Sequence, residues 1–224
     1  MDHRTQILLI DHQPIVRFGI RKLLEKDPDL EVAWECSSCH EALDLIKSIS
    51  PNLIISEALF PMRECVLTFL KEIQASHPTL PLLVFSGQSE DLIAERVLNT
   101  GGAGFVHKSA CPTELLTAIR TALQGEVYMS AHMASRALRR YSHGGSHPEE
   151  PNPVDRLSNR ELEIFNLIGV GSSIREIAKE LNISIKTVET HRSHIKEKLI
   201  LPKDQGLVSF ASQWFASGTV FKAS

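Results

Sequence analysis

Several short apolar runs in the first half of the chain end in side chains able to handle charge. They finish in Asp11-His12, in Ser56-Glu57, in Ser86 and in His107-Lys108. If those runs are parallel strands, their carboxyl ends converge where an open sheet places its ligand. One or two carboxylates, a hydroxyl and an ammonium gathered there suit a phosphoryl group or a metal ion. Polar strand ends are also usual in any domain of this build, so the pattern alone leaves both readings open.

A second chemical group lies near the other end, where Lys186, Thr187, Glu189, Thr190, Arg192, Ser193 and Lys196 occupy one helical stretch. Val188, Ile195 and Leu199 give that stretch an apolar stripe, which leaves most of the polar set to project outward. Arg192 and the lysines, Lys198 included, are placed to neutralise phosphates, while Thr190 and Ser193 sit nearer base edges. Glu189 repels phosphate but can accept from a cytosine amine. A protein-interaction domain with a charged, solvated face is the other reading of the same residues.

The elements that position these groups differ between the two halves. Runs at Ile7–Ile10, Leu30–Trp34, Leu53–Ile55, Leu82–Phe85 and Gly104–Val106 alternate with helical spacings such as Val16, Ile20, Leu23 and Leu24. Strand–helix alternation implies a parallel sheet covered by helices on both faces, with a mostly helical domain as the alternative. After Gly125 a basic stretch, Ser135–Tyr141, reads as a short helix. Ser142–Pro153 (SHGGSHPEEPNP) reads as a linker whose His143 and His147 are solvated rather than metal-bound. Residues 155–224 read as four short helices, the first opened by Ser158 with Glu161 at capping-box spacing. The second and third, broken at Asn182–Ser184, form a helix-turn-helix. The expected division is therefore 1–127, a linker with a short helix over 128–154, and 155–224, with no internal repeat.

Composition sets the outer bounds. At 42% hydrophobic and 23% charged residues, the 224-residue chain is not a disordered one. Its apolar runs are far short of the roughly 18 residues a membrane span needs, and no secretory leader pattern opens it, so a cytoplasmic protein is expected. The net charge of −3 conceals an uneven distribution. Residues 1–130 carry 11 basic and 17 acidic side chains, whereas 131–224 carry 13 and 10. A mildly basic second half permits nucleic-acid binding there. Four cysteines do not make a disulfide framework, and the lone Cys36-x-x-Cys39 reads as ordinary reduced thiols.

Two resemblances sharpen these readings. L-S-N-R-E at 157–161, I-R-E-I-A-K-E-L at 174–181 and S-I-K-T-V-E-T-H-R-S-H-I-K-E-K-L at 184–199 resemble the LuxR/NarL-type helix-turn-helix over about 155–214. That resemblance implies an all-α four-helix domain whose third helix enters the DNA major groove and whose last helix, about Gln205–Trp214, pairs subunits. I-L-L-I-D-H-Q-P at 7–14, P-N-L-I-I-S-E-A-L-F-P-M at 51–62, L-L-V-F-S-G at 82–87 and G-F-V-H-K-S at 104–109 resemble the receiver domain of two-component response regulators over about 5–125. This implies a flavodoxin-like α/β fold with a five-stranded parallel sheet of order 2-1-3-4-5. By the same resemblance Ser86 is the switch hydroxyl, Phe105 the switch aromatic and Lys108 the lysine that contacts the phosphoryl group. The whole chain thus resembles a NarL/FixJ-type response regulator.

The departures from that pattern are the most informative residues. The phosphate-accepting position, an aspartate in the family, is Glu57. The second acid expected after the first strand, a direct magnesium ligand, is His12. Magnesium wants oxygen ligands and accepts imidazole poorly, so its binding is expected to be weak or lost, and no other cofactor is expected. Phosphoryl transfer depends on the ion and on in-line placement of the acceptor, so ordinary phosphorylation is not expected either. Glu57 instead stands as a partial imitation of the phosphorylated state, offering about −1 where a phosphoryl supplies roughly −1.5 to −2. No nucleophile–base pair or metal set emerges, so the chain reads as no enzyme. It reads as a DNA-binding transcriptional regulator with a degenerate receiver (Asp11, His12, Glu57, Ser86, Phe105, Lys108). Its expected partners are double-stranded DNA and a second subunit, either a copy of itself or another regulator; a cognate histidine kinase is left open. The rival is an accessory interaction protein that pairs with another regulator through its receiver face.

Overall fold

The computed structural model describes residues 4–58, 60, 66–88, 90–142, 153–201 and 206–217. The chain divides into two units, Met1–Leu138 and Arg139–Ser224.

In the first unit β1 (Thr5–Ile10), β2 (Leu30–Cys36), β3 (Leu53–Ser56), β4 (Leu82–Ser86) and β5 (Gly104–His107) alternate with helices. These are α1 (Pro14–Leu24), α2 (Cys39–Ile46), α3 (Val66–Ser76), α4 (Glu90–Asn99) and α5 (Pro112–Leu123). All strand pairs are parallel and the order is β2-β1-β3-β4-β5, as the resemblance implied. Alternation along each strand splits the core into two layers. Ile7, Leu9, Leu53, Ile55, Leu83 and Val106 pack on α1 and α5 through Ile20, Leu24, Leu115 and Ile119. Leu8, Ile10, Ile54, Val84 and Phe105 are equally buried and point the other way. Right-handed crossovers bring the remaining helices to that second face.

The first unit runs further than expected. Tyr128 N–H donates to the Ala103 carbonyl at 2.8 Å, and its phenol donates to Glu114 at 2.9 Å. These bonds tie residues assigned to a linker onto β5 and α5. The basic stretch is helical, as α6 (Ala131–Ser142), and His132 on it lies 3.3 Å from Glu90 of α4. Cys36 and Cys39 are free and buried, and burial pushes the Cys36 thiol up to about 12, so it is protonated and unreactive near neutrality. Most of the expected linker, with His143 and His147, lies outside the described residues.

The second unit holds a 3₁₀ turn (Pro153–Arg156) and four helices, α7 (Asn159–Gly169), α8 (Ile174–Glu180), α9 (Ile185–Leu199) and α10 (Leu207–Ser217). Serine caps three of them. Ser158 with Glu161 and Ser173 with Glu176 form full capping boxes, and the Ser184 hydroxyl accepts from Thr187 N–H. Asn182 turns the chain between α8 and α9 at φ 45°, a left-handed conformation that asparagine tolerates. The last helix extends past the expected Trp214, and Gln205 lies outside the described residues. Phe210 stacks between Phe165 of α7 and Trp214, each pair with centroids 6.0 Å apart. Among the described residues no helix is long and apolar enough to cross a membrane.

Gly104 and Gly19 make opposite predictions for thermal unfolding. A Cβ at Gly104 would sit 2.8 Å from the Tyr128 carbonyl at φ +153°, so Gly104→Ala should destabilise by about 1–3 kcal/mol. Gly19 lies inside α1 with nothing within 4 Å, so Gly19→Ala should stabilise by about 0.5–1 kcal/mol.

Candidate functional site

The first site forms at the carboxyl edge of the sheet, where strand order reverses between β1 and β3. Asp11 follows β1 at 1% exposure, and Glu57 follows β3 at 6%. Lys108, just past β5, reaches back to both. Its ammonium is 2.7 Å from Asp11 Oδ2 and 2.6 Å from Glu57 Oε2. The other Glu57 oxygen, Oε1, accepts from Ala58 N–H at 2.6 Å and from the buried Ser86 hydroxyl. Asp11 Oδ1 accepts from Gln13 N–H at 2.8 Å. The two carboxylates are thus hydrogen-bonded at both oxygens and share one cation. Burial works to depress the Lys108 ammonium, but its hydrogen bonds to Asp11 and Glu57 and their charges outweigh this and hold it above the ordinary lysine value of 10.5.

The remaining members of the predicted pocket occupy different surroundings. Phe105 is wholly buried within β5. His12 lies beside the pocket rather than in its hydrogen-bond network. Its Nδ1 is buried without a hydrogen-bond partner, 4.0 Å from Asp11 Oδ1, and its ring meets Phe60 edge-on at 6.1 Å. His107 bonds outside the pocket, to Ser109 and to the Gly87 carbonyl.

Sequence reasoning did not identify Ala58 N–H, Gln13, Gln88 or Arg17 as supports. Gln13 Oε1 accepts from Lys108 at 3.3 Å, Gln88 N–H donates to Ser86 Oγ at 3.1 Å, and Arg17 donates to the Asp11 carbonyl at 2.5 Å. Most of these contacts use backbone groups, which leave no mark on residue type. Arg17 did carry a signal, a cation one helical turn into α1.

The second site is α9. Val188, Ile195 and Leu199 are buried, while Lys186, Glu189, Thr190, Ser193 and Lys196 are exposed. Thr187 and Arg192 are half-buried. Thr190 donates to the Lys186 carbonyl at 3.0 Å and Ser193 to the Glu189 carbonyl at 3.1 Å, so each hydroxyl has its proton engaged and presents an acceptor to the solvent. Lys198, counted with the phosphate-facing cations from sequence, turns inward instead. It meets Glu161 of α7 at 2.6 Å, because it lies on the flank facing α7 and finds a buried carboxylate there. The Lys198 bond and the Ser158 cap outweigh burial and hold the Glu161 carboxyl below its ordinary range.

Comparison with known proteins agrees with both halves. Residues 7–120 match the family model described as response regulator receiver domain, and residues 155–211 match bacterial regulatory proteins, luxR family. The oxygen regulatory protein NreC of Staphylococcus haemolyticus is 31% identical over 208 residues, spanning 92% of this chain and 96% of the relative. NreC of Staphylococcus carnosus matches equally. Among solved structures, the RcsB response regulator of Salmonella typhimurium superposes with a TM-score of 0.72 at 27% identity, covering 94% of this chain and 98% of that one. RcsB bound to the rprA promoter in the presence of phosphomimetic BeF3− gives a TM-score of 0.69 at 29% identity, over 94% and 99% of the two chains.

The Lys108 bridge makes a stability prediction. Lys108→Met strands two buried carboxylates and should cost about 3–5 kcal/mol in urea unfolding. Because the folded-state value of Lys108 is raised, its contribution is complete below 10.5 and declines only as pH climbs through the higher folded value. Wild-type protein should therefore lose this increment at alkaline pH, and the variant should lack that component of the decline.

Proposed function

The chain belongs to the response regulators that join a receiver domain to a LuxR-family domain, and from that premise we propose that it is a DNA-binding transcriptional regulator that works without aspartyl phosphorylation. One observation carries the reading. Glu57 already takes, within the unmodified chain, an ammonium, a serine hydroxyl and a backbone N–H. Those are the kinds of partner an added phosphoryl group would need for its charge and oxygens. The longer side chain places the carboxylate among them directly. Its single charge makes the imitation partial, so it biases an equilibrium of the receiver rather than locking one state.

Magnesium chemistry does not suit the residues present. The pocket offers two carboxylates, each already ion-paired to Lys108, and His12 puts an imidazole where an oxygen ligand is required. An imidazole in place of a carboxylate also leaves fewer acids to be neutralised, which lets one lysine serve in place of an ion.

For the second domain, the exposed face of α9 supports major-groove docking. Lys186, Arg192 and Lys196 would meet phosphates, and Glu189, Thr190 and Ser193 would meet base edges. RcsB has been solved as dimers on DNA, and the same assembly is proposed here, with α10 the helix that pairs two copies. Val208, exposed on a flank of α10 beside its buried side, would lie at that contact.

Two experiments test this reading. Incubation with a small-molecule phosphodonor and magnesium should leave the protein unmodified by intact mass, and stoichiometric phosphate lost in Glu57→Gln would overturn phosphorylation independence. The purified protein alone should shift a promoter fragment in a salt-dependent manner. Replacing Lys186 and Arg192 together by alanine should weaken binding on all sequences and lower the salt slope by about 2. Thr190→Ala and Ser193→Ala should alter preference among sequences instead. No shift by the wild type at any salt would favour the accessory interaction protein.

A further inference from the structure

Folding of the second unit brings together three side chains that the sequence separates. Glu161 on α7 and His191 and His194 on α9 each offer one ligand atom, and these atoms all lie within 4.8 Å of one another. The sequence reading found no metal set, because a carboxylate in a capping box and two histidines a turn apart carry no joint signal until α7 packs on α9. Among the described residues no other three of His, Cys, Asp and Glu meet in this way.

The local chemistry favours an ion over coincidence. His191 Nδ1 is buried with no hydrogen-bond partner, although buried imidazole nitrogens ordinarily find one. Glu161 receives both Ser158 N–H and the Lys198 ammonium on Oε2, which leaves Oε1 for a further partner. His191 and His194 are three residues apart on one helix, so they project to the same flank, between the buried stripe and the outward face. The set grades from buried Glu161 through half-buried His191 to exposed His194, giving a protein-held floor and a solvent-open side. Two imidazoles and a carboxylate make a donor set for zinc-like ions, with water completing four-coordination. They suit magnesium and calcium poorly, since those ions want oxygen.

We propose that Glu161, His191 and His194 form a binding site for a borderline divalent transition-metal ion of the Zn2+ type, clamping α9 to α7. Lys198, on Oε2, and Arg160, next to Glu161 in sequence and paired with Glu163 at 2.6 Å, put cations nearby and hold the affinity to the micromolar range. An ion bound only by the folded domain stabilises it by mass action. It also fixes the helix that carries the proposed DNA-facing residues, on a flank next to Thr190. All three ligands belong to the second unit.

The test uses full-length, tag-free protein stripped with chelator. Zn2+ titrated calorimetrically should bind once per chain at micromolar concentration and raise the melting temperature. Co2+ should give the visible absorption of a four-coordinate site. His194→Ala, an exposed position that the fold does not need, should weaken binding at least about tenfold and remove the thermal gain. The His143→Ala/His147→Ala double variant should bind as wild type. Unchanged Zn2+ affinity in His194→Ala, loss of binding in the linker double variant, or no binding up to millimolar Zn2+ would each overturn the proposal. If His191→Ala fails to fold, His194→Ala still decides.

Discussion

Two carboxylates from different strands meet at the carboxyl edge of the sheet with almost no access to water, and one ammonium must balance them. Burying Asp11 and Glu57 unpaired would cost several kcal/mol each, enough to consume the stability of a small domain. Lys108 offsets that cost only because β5 ends beside β4, which in turn ends beside β3. The sheet order and the charge balance therefore depend on each other. Gly104 permits the close approach of the chain around Tyr128 to β5, Gln13 and Arg17 hold the β1 end, and Ser86 closes the far side of Glu57. Substituting glutamate for a shorter acid moves the carboxylate toward this cationic and hydroxyl shell, and substituting histidine for an acid removes a charge the lysine would otherwise leave unbalanced. The two departures from the family pattern act in one direction, toward a pocket whose buried carboxylates are balanced by Lys108.

The second unit applies the same logic on a smaller scale. The Glu161 side chain completes a capping box through Oε2 and accepts Lys198 on the same oxygen, which leaves Oε1 for a further partner. One buried carboxylate thus fixes the start of α7 and the end of α9 together. α10 packs on α7 through Phe210 against Phe165, and α9 packs along its inner side on α7 and α8, while its outer face stays free of intramolecular ion pairs among the described residues. A rigid helix with an unspent polar face is what groove recognition requires.

Much of this was legible before any coordinates. Strand–helix alternation gave the parallel sheet, Ser158 with Glu161 gave the first helix start, and four of the polar residues at strand ends, Asp11, Glu57, Ser86 and Lys108, meet in the pocket. The extent of the first unit was not legible, since Tyr128 joins it through a backbone bond to Ala103 and a phenol bond to Glu114. Neither bond follows from a periodicity. The inward turn of Lys198 was equally hidden, because a lysine on a basic helix reads as solvated unless a buried acid across the helix pair is known. His12 was noticed as a histidine where the family carries an acid, but its isolation from the hydrogen-bond network depends on the placement of Phe60 and Asp11 around it.

The sequence by itself determined which chemical groups exist and which elements carry them. Residue type and local spacing are enough for that, because strand period, helix period and caps act over a few residues. Tertiary structure alone decided which groups share a charge. Asp11, Glu57 and Lys108 come from three strands, and Glu161, His191 and His194 from two helices. Electrostatic energy falls with distance in space, and distance along the chain does not fix it. The net charge of −3 accordingly says little about either site, whereas one lysine and one buried glutamate, placed by packing, set the behaviour of both.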